Sequence, residues 1–276
     1  MTTDKGQMWV AGLEYDGSGF RGWQAQQPGV RTVQEVLTAA LSRVADHPLE
    51  AVCAGRTDAG VHALGQVVHF QSPAPRPPRA WLLGCNSALP DDVNLRWVEP
   101  VDDDFHARYS AHSRSYRYVF WNRPARTALG RQRACWVYHP LDAAAMHRAA
   151  QALIGEHDFS AYRAVACQSP TPMRFVEAIS VQREGDLVVM DIRANAFLHH
   201  MVRNIAGVLM AVGKGDAEES WPADVLVGRD RTRGGVTAPA EGLYFHGVRY
   251  PDFPAIDRLS KPSHEPMLPG PAIPGQ

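Results

Sequence analysis

Hydrophobic and polar positions in the first fifty residues follow the spacing of a strand and then of an amphipathic helix. Residues 8–15 form an apolar run of strand length, which predicts a strand. From Val33 to Val44, apolar residues recur three and four positions apart and predict a helix with one apolar face. Thr32 and Glu35 match the S/T-x-x-E capping box, so they place the start of that helix.

Four further segments complete the pattern of the first half. Residues 49–54 and 66–71 have strand composition and flank a loop at 55–65. Residues 78–89 predict a second helix, and residues 93–101 predict a fourth strand. The resulting order, β-α-β-β-α-β, is that of a ferredoxin-like unit.

The second half repeats this order of elements without repeating residues of the first half. Its predicted elements are a strand at 113–121, a helix at 142–154, a hairpin of strands at 176–183 and 187–193, a helix at 197–212 and a strand at 242–250.

The two halves together predict an α+β fold with a mostly antiparallel sheet. The two ferredoxin-like units, residues 1–106 and 107–250, are expected to lie side by side with the active-site cleft between them. Residues 251–276 contain seven prolines and few apolar residues, so they are expected to be a mobile tail.

Composition narrows the class of protein. The 276 residues are 45% hydrophobic, enough for one large domain or two small ones. Since there is no apolar run of about 18 residues and no apolar segment at the polar N-terminus, we expect neither a membrane span nor a secretory signal. A cytoplasmic protein is the expectation. The four cysteines form no C-x-x-C pair, which argues against a zinc ribbon or a redox dithiol.

Positive charge is concentrated in one stretch, although the net charge of the chain is only −1. Between Asp104 and Asp142 there is no acidic residue, but there are seven arginines with aromatic residues interleaved. Guanidinium groups suit phosphates and aromatic faces suit bases, so the stretch favours an anionic partner such as RNA. The arginines are Arg108, Arg114, Arg117, Arg123, Arg126, Arg131 and Arg133.

The residue best suited to catalysis is Asp58, in a loop of small residues between two predicted strands. One possibility is an Asx-type turn, in which Asp58 only binds its own backbone. The other is catalysis, because a carboxylate can attack an electrophilic carbon or stabilise an oxocarbenium-like sugar when a glycosidic bond breaks. The catalytic roles need an ionised carboxylate, and Arg203 in the predicted helix at 197–212 is the candidate to keep it so.

Six motifs, in order and spread over residues 8–250, resemble the tRNA pseudouridine synthase A family. The opening motif is YDGSGFRGWQAQ at 15–26, and the catalytic signature is GRTDAGVHA at 55–63. The other four are NSALP at 86–90, FHAR at 105–108 with RSYRY at 114–118, FLHHMVRN at 197–204 and APAEGL at 238–243.

The resemblance implies isomerisation of uridine to pseudouridine at positions 38, 39 and 40 of the tRNA anticodon stem-loop, by a homodimer that needs no cofactor. It implies that Asp58 is the catalytic carboxylate and that Tyr116 lies against the target uracil. Arg56 would fill the space left by the flipped nucleotide, Arg203 would pair with Asp58, and Leu243 would form part of the apolar wall of the uracil pocket. Phe245 stands where the family pattern has an aliphatic residue, and Phe175 is a similar departure from that pattern. Both are expected to leave the mechanism intact.

Three other hypotheses compete with this one. The spacing of Gly17, Gly19 and Gly22 matches a G-x-G-x-x-G dinucleotide fingerprint, but Pro28 and Gly29 argue against the helix that such a site requires. A non-catalytic RNA-binding protein on the same fold would have no use for Asp58.

The third hypothesis is a metal site built on His199 and His200 with His62 or His69. Adjacent residues on a helix point about 100° apart, which makes a shared ion improbable. We therefore expect no metal and no nucleotide cofactor.

Overall fold

A computed structural model describes residues 6–165 and 167–261, and these residues form two compact units. The first unit contains residues 6–114 and 245–261, and the second contains residues 115–244. None of the helices in these described ranges is both long and apolar enough to cross a membrane.

The first unit has the predicted order of elements. They are β1 (Gln7–Tyr15), α1 (Val33–Ala45), β2 (Val52–Cys53), β3 (His62–Ser72), α2 (Pro78–Asn86) and β4 (Val93–Val101). β1 lies between β4 and β3 and is antiparallel to both, and β2 pairs antiparallel with β3. The predicted α+β class with mostly antiparallel strands is therefore confirmed.

Burial explains why these segments form these elements. The apolar face of α1 is fully buried through Val33, Leu37 and Leu41, as its three- and four-residue spacing predicts. Trp81 of α2 is fully buried against the rings of Trp9 and Phe70, with centroids 5.9 and 5.0 Å away. Helices and sheet thus share one core.

The capping box predicts the start of α1 correctly but not the capping hydrogen bond. Thr32 is the N-cap residue of α1 with extended backbone, as predicted, but its side chain forms no capping hydrogen bond. Its hydroxyl is buried without a hydrogen-bond partner among the described residues. The motif therefore marks the start of the helix, but tertiary burial of the cap residue overrides the local hydrogen bond.

The second unit contains the predicted elements and several additional short ones. They are β5 (Ser113–Asn122), β6 (Cys135–Val137), α3 (Ala143–Ala150), β7 (Gly155–Asp158), β8 (Met173–Glu184), β9 (Leu187–Ala194), α4 (Met201–Lys214), α5 (Trp221–Gly228) and β10 (Leu243–Arg249). β9 lies between β5 and β8, β7 and β8 pair antiparallel, and β6 pairs parallel with the end of β5. The sequence did not predict β6, β7 or α5, which are too short for a periodic pattern to be distinctive.

α4 begins four residues later than predicted. His200 adopts a left-handed backbone conformation with φ of 62°, and the helix starts after it at Met201. A non-glycine residue in this region interrupts helical geometry, so residues 197–200 are not helical. The prediction that His199 and His200 lie on a helix is therefore wrong.

The C-terminal part of the described chain also differs from the prediction. β10 begins in the second unit, but from Phe245 onward it belongs to the first, where it neighbours β3. A helix, α6 (Pro254–Leu259), follows with Ile256 buried, and the Asp257 carboxylate accepts a 2.7 Å hydrogen bond from the Tyr250 amide.

Residues 251–261 are consequently not a mobile tail, because α6 has an apolar anchor of its own. The two units of the structure divide at residues 114 and 244, and the sequence prediction divides the chain at 106 and 250. The rest of the predicted tail, residues 262–276, lies outside the described residues.

The packing of α6 predicts a stability effect. Ile256→Ala removes a side chain that is 4% exposed, and it should lower the free energy of unfolding by about 2–4 kcal/mol because a cavity remains. Urea denaturation followed by circular dichroism measures this. Val227 is also β-branched but 81% exposed, so Val227→Ala should stay within about 0.5 kcal/mol of wild type. Equal stability of both variants would contradict the anchoring role of Ile256.

Candidate active site

The Asp58 loop leaves β2 at Ala54 and joins β3 at His62. Thr57 is buried at its centre, and its hydroxyl lies 2.7 Å from the hydroxyl of Tyr15. On either side of this anchor, Arg56 is exposed and Asp58 is half-buried. The loop therefore presents a carboxylate and a guanidinium from a fixed backbone.

The opening motif at 15–26 holds this loop by its main chain. The Trp23 amide donates to the Thr57 carbonyl at 2.9 Å, and the Gly60 amide donates to the Phe20 carbonyl at 3.2 Å. Gly22 adopts a φ of 94°, and a Cβ there would lie 2.8 Å from the Thr57 carbonyl oxygen. Only glycine allows so close an approach in that conformation.

The turn at Asp58 is closed by main-chain atoms. The Val61 amide donates to the main-chain carbonyl of Asp58 at 3.2 Å. The Gly60 amide, two residues after Asp58, is the group that an Asx-type turn would direct to the carboxylate, and it donates to the Phe20 carbonyl at 3.2 Å.

Gly55, at the base of the loop, is packed between two buried side chains. The Gln66 amide donates to the Gly55 carbonyl at 2.7 Å. The ring edge of Phe245 lies so close that a Cβ on Gly55 would be 2.7 Å from it. Phe245 is thus a packing support for the Asp58 loop, whereas Phe175, the other departure from the family pattern, is exposed on β8.

The neighbours of the loop have their own fixed roles. Burial raises the pKa of the Cys53 thiol to about 12, so this cysteine is not a thiolate nucleophile at neutral pH. The Nδ1 atom of His62 lies 3.1 Å from both the Asp16 carboxylate and the Gly17 amide. The contact with His62 and the hydrogen bonds from the Ser18 amide and hydroxyl hold the pKa of Asp16 well below its usual range. His62 therefore supports the turn that carries the opening motif.

The glycines of the opening motif do not build a dinucleotide site. After a single 3₁₀ turn at Gly17–Gly19, no helix forms until Val33. Since a dinucleotide fingerprint places pyrophosphate on a helix that opens at these glycines, the motif lacks the element that gives it that function.

The other three predicted site residues lie in the second unit. Tyr116 on β5 is buried, and the ring of Phe197 meets it edge-on with centroids 4.9 Å apart. Arg203 on α4 is half-buried, and its Nε atom donates to the Ala238 carbonyl at 2.8 Å. Leu243 is buried at the start of β10.

Residues that the sequence did not single out hold the segment before Leu243. The Arg231 guanidinium donates to the side chains of Asn204 and Thr237 at 3.0 and 2.9 Å, and Thr237 donates to Asn204 at 2.7 Å. The Tyr118 hydroxyl donates to the Pro239 carbonyl at 2.8 Å. Asn204 lies within a recognised motif, but nothing in the sequence marks Arg231 as its partner.

The arginine-rich stretch divides into structural and exposed members. Arg117 forms a bidentate pair with Asp191 at 2.8 and 2.9 Å, and Arg114 donates to the Ala54 carbonyl. These two guanidinium groups stabilise the fold. The exposed members are Arg108, Arg126, Arg131 and Arg133, with the aromatic residues Tyr109, Trp136 and Tyr138.

The geometry places Arg56 and Asp58 together on one rigid loop of the first unit, and it places Tyr116, Arg203 and Leu243 in the second unit. A half-buried carboxylate on a fixed backbone suits nucleophilic or electrostatic catalysis, since its position needs no reorganisation during the reaction.

Comparison with known proteins identifies the family. A family model described as tRNA pseudouridine synthase matches residues 11–110 and 149–251, which include Asp58 and Arg203 but not Tyr116. The protein called tRNA pseudouridine synthase A of Alcanivorax borkumensis is 56% identical over 245 residues, 89% of this chain and 92% of that protein. The protein of that name from Escherichia fergusonii is 56% identical over 257 residues, which are 93% of this chain and 94% of that protein. The protein of that name from Methylococcus capsulatus is 56% identical over 241 residues, which are 87% of this chain and 89% of that protein. Because the family model covers most of the chain and these relatives match nearly end to end, the chain belongs to the tRNA pseudouridine synthase family.

Proposed function

We propose that this protein isomerises uridine to pseudouridine in tRNA, at positions 38, 39 and 40 of the anticodon stem-loop, with Asp58 as the catalytic carboxylate. The observation that carries the proposal is the Asp58 loop, which buried Thr57 and the opening motif hold in place. Relatives named tRNA pseudouridine synthase A, at 56% identity over most of their length, support the same activity.

The reaction exchanges one glycosidic bond for another. The bond between N1 of uracil and C1′ of ribose breaks, a bond between C5 and C1′ forms, C5 loses its proton and N1 gains one. No atom is added and no electron is transferred overall, so the chemistry requires no redox cofactor or group donor. Asp58 attacks C1′ or C6, or assists the loss of a proton from C2′.

The target base must leave the helical stack before Asp58 can act on its nucleotide. Unstacking costs a few kcal/mol, which contacts to the flipped nucleotide and to the gap it leaves can offset. We propose that Arg56 fills the gap left by the flipped nucleotide, and the exposure of Arg56 beside Asp58 supports that role. Tyr116 is assigned to stack on the uracil, and its edge-on contact with Phe197 would keep the ring in place.

Two residues of the second unit complete the proposed site. Arg203 would keep Asp58 ionised, and its hydrogen bond to the Ala238 carbonyl limits the positions its guanidinium can take. Leu243 would form part of an apolar wall that excludes water. Exclusion matters because water that reached C1′ would turn the isomerase into a glycosidase.

We further propose that the enzyme is a cytoplasmic homodimer that needs no metal ion. The family resemblance supports the dimer, and the proposed tRNA substrate supports the compartment. A chelator that abolished activity would contradict the metal-free mechanism.

Removal of the Asp58 charge tests the central assignment. Asp58→Asn keeps the size and hydrogen-bonding reach of the side chain but removes its charge, and Asp58→Ala removes both. Both variants should lose pseudouridine formation by at least about 10³-fold, as expected for a group that acts as a unit with the reacting atoms. Release of tritium from [5-³H]uridine-labelled tRNA measures the loss of the C5 proton directly.

Filter binding of tRNA to the same variants separates catalysis from recognition. Affinity should stay within a few-fold of wild type, because phosphate and base contacts elsewhere dominate binding. Retained activity would contradict the role of Asp58. If wild type bound tRNA but formed no pseudouridine, the non-catalytic RNA-binding alternative would be favoured.

The contact between Gly55 and Phe245 tests whether loop position controls the rate. Gly55→Ala places a Cβ 2.7 Å from the Phe245 ring, so the base of the loop must shift. Since misplacement by about 1 Å can cost about 10²-fold, the rate constant at saturating tRNA should fall at least about 10-fold. Gly55→Ala combined with Phe245→Leu should recover most of that loss, because the smaller side chain leaves room for the Cβ.

Gly228 provides the matched control for this experiment. A Cβ there would meet nothing closer than 3.5 Å, so Gly228→Ala should leave the rate unchanged. If the double variant were no faster than Gly55→Ala alone, Phe245 would not be the group that positions the loop.

A further inference from the structure

Three aromatic rings form a column in the first unit, outside the Asp58 loop. The ring of His69 on β3 is followed by that of His106, with centroids 4.4 Å apart, and the ring of Tyr109 stacks on His106 at 4.2 Å and 30°. His69 is buried, whereas Tyr109 is 77% exposed. We call these three residues the ring column. Its outer end is an aromatic ring held at the surface.

Hydrogen bonds fix the column from within. The Nδ1 atom of His106 accepts from the amides of Arg108 and Tyr109, both at 3.1 Å. The Nδ1 atom of His69 accepts from the Ala107 amide, also at 3.1 Å. An imidazole nitrogen that accepts a hydrogen bond carries no proton, so both rings hold their only proton on Nε2.

The two imidazoles are also uncharged at neutral pH. Burial lowers the pKa of His69 to about 4, and burial also lowers the pKa of His106. The column is therefore uncharged, and its outer ring stacks on the ring of His106. This contact limits the positions that the Tyr109 ring can take, so less conformational entropy is lost when a ligand binds.

The surroundings of Tyr109 are positively charged. The guanidinium of Arg108, itself exposed, lies 5.8 Å from the centre of the Tyr109 ring. Arg114 donates both to the Arg108 carbonyl and, at 3.3 Å, to the Ala54 carbonyl next to the Asp58 loop. The charges of Arg56 and Arg108 both act on the Cys53 thiol, where they oppose the rise of its pKa. The ring column and the Asp58 loop are thus neighbours.

We propose that Tyr109 is a stacking platform for an unpaired nucleobase of the tRNA other than the reacting uracil, and that Arg108 binds a phosphate beside that base. A fixed, exposed ring next to a guanidinium is the arrangement with which proteins bind single-stranded nucleic acid. Paired bases of a stem have no open face, so the ligand is a base of the loop or one that is displaced on binding. The proposal rests on the proposed function, because it takes tRNA as the substrate of the neighbouring Asp58 loop.

Single-turnover assays on full-length tRNA test the platform. Tyr109→Ala should raise the enzyme concentration for half-maximal rate about 10- to 100-fold, the usual effect of losing one base stack, with little change in the maximal rate. Tyr109→Phe keeps the ring and should behave as wild type. The platform is overturned if Tyr109→Ala matches wild type, or if Tyr109→Phe is as defective as Tyr109→Ala.

Salt dependence separates the roles of Arg108 and Tyr109. Arg108→Ala should reduce the slope of log affinity against log salt concentration by about 1, because one phosphate contact is lost. Tyr109→Ala should leave that slope unchanged, since stacking releases no counterion. A lowered slope for Tyr109→Ala would show that the variant disturbs phosphate contacts, and it would overturn the stacking role.

A fluorescent base locates the ligand independently of catalysis. 2-Aminopurine, whose emission falls on stacking, is placed at each unpaired anticodon-loop position in turn. One position should be quenched by wild type and by Tyr109→Phe but not by Tyr109→Ala, and equal quenching by all three proteins would overturn the proposal. If wild type bound this RNA but formed no pseudouridine in tRNA, the proposed function would fail while the quenching still decided the platform.

Discussion

The candidate active site depends on one main-chain contact, the hydrogen bond from the Trp23 amide to the Thr57 carbonyl. It brings the opening motif against the catalytic signature, and it requires Gly22, where a Cβ would collide with that carbonyl. The buried hydroxyl pair of Tyr15 and Thr57 adds a side-chain anchor at the same residue. Two motifs that are distant in sequence are therefore one structure. The first motif is the scaffold of the second, which it contacts through main-chain atoms of Phe20 and Trp23 and through the close approach at Gly22.

Sequence patterns predicted the regular elements of the fold, because apolar spacing reports burial directly. They were weaker wherever tertiary contacts decide a local conformation. Thr32 marks the start of α1 without capping it, and His200 delays the start of α4 by adopting a left-handed backbone. The helix α6 was mistaken for a tail, since one buried isoleucine among prolines gives no periodic signal. The spacing of apolar residues predicted the helices and strands, but it could not predict how tertiary contacts set the conformation at their ends.

The site residues show a similar division. Motif resemblance singled out Arg56, Asp58 and Arg203, whose side-chain chemistry is apparent from residue type. It gave no indication of Arg231 or of the Phe245 contact with Gly55, because these act through packing and hydrogen bonds between distant segments. Charge composition was likewise ambiguous: of the arginines between Asp104 and Asp142, some form internal pairs, as Arg117 does with Asp191, and others remain exposed. Composition counts charges but does not show which of them a ligand can reach.

Rigidity around Asp58 fits the demands of the proposed isomerisation. A cofactor enzyme can place its reactive group partly through the cofactor, whereas the proposed mechanism requires the chain alone to align a single carboxylate. The protein holds the loop with main-chain hydrogen bonds and with a close-packed base at Gly55, which the Gln66 side-chain amide and the Phe245 ring contact. Arg56 lies on the same loop but is exposed, so it can move while the backbone beneath it stays fixed. Under the proposed mechanism, a fixed carboxylate two residues from an exposed guanidinium would let one short loop both enter an RNA helix and hold its catalytic group still.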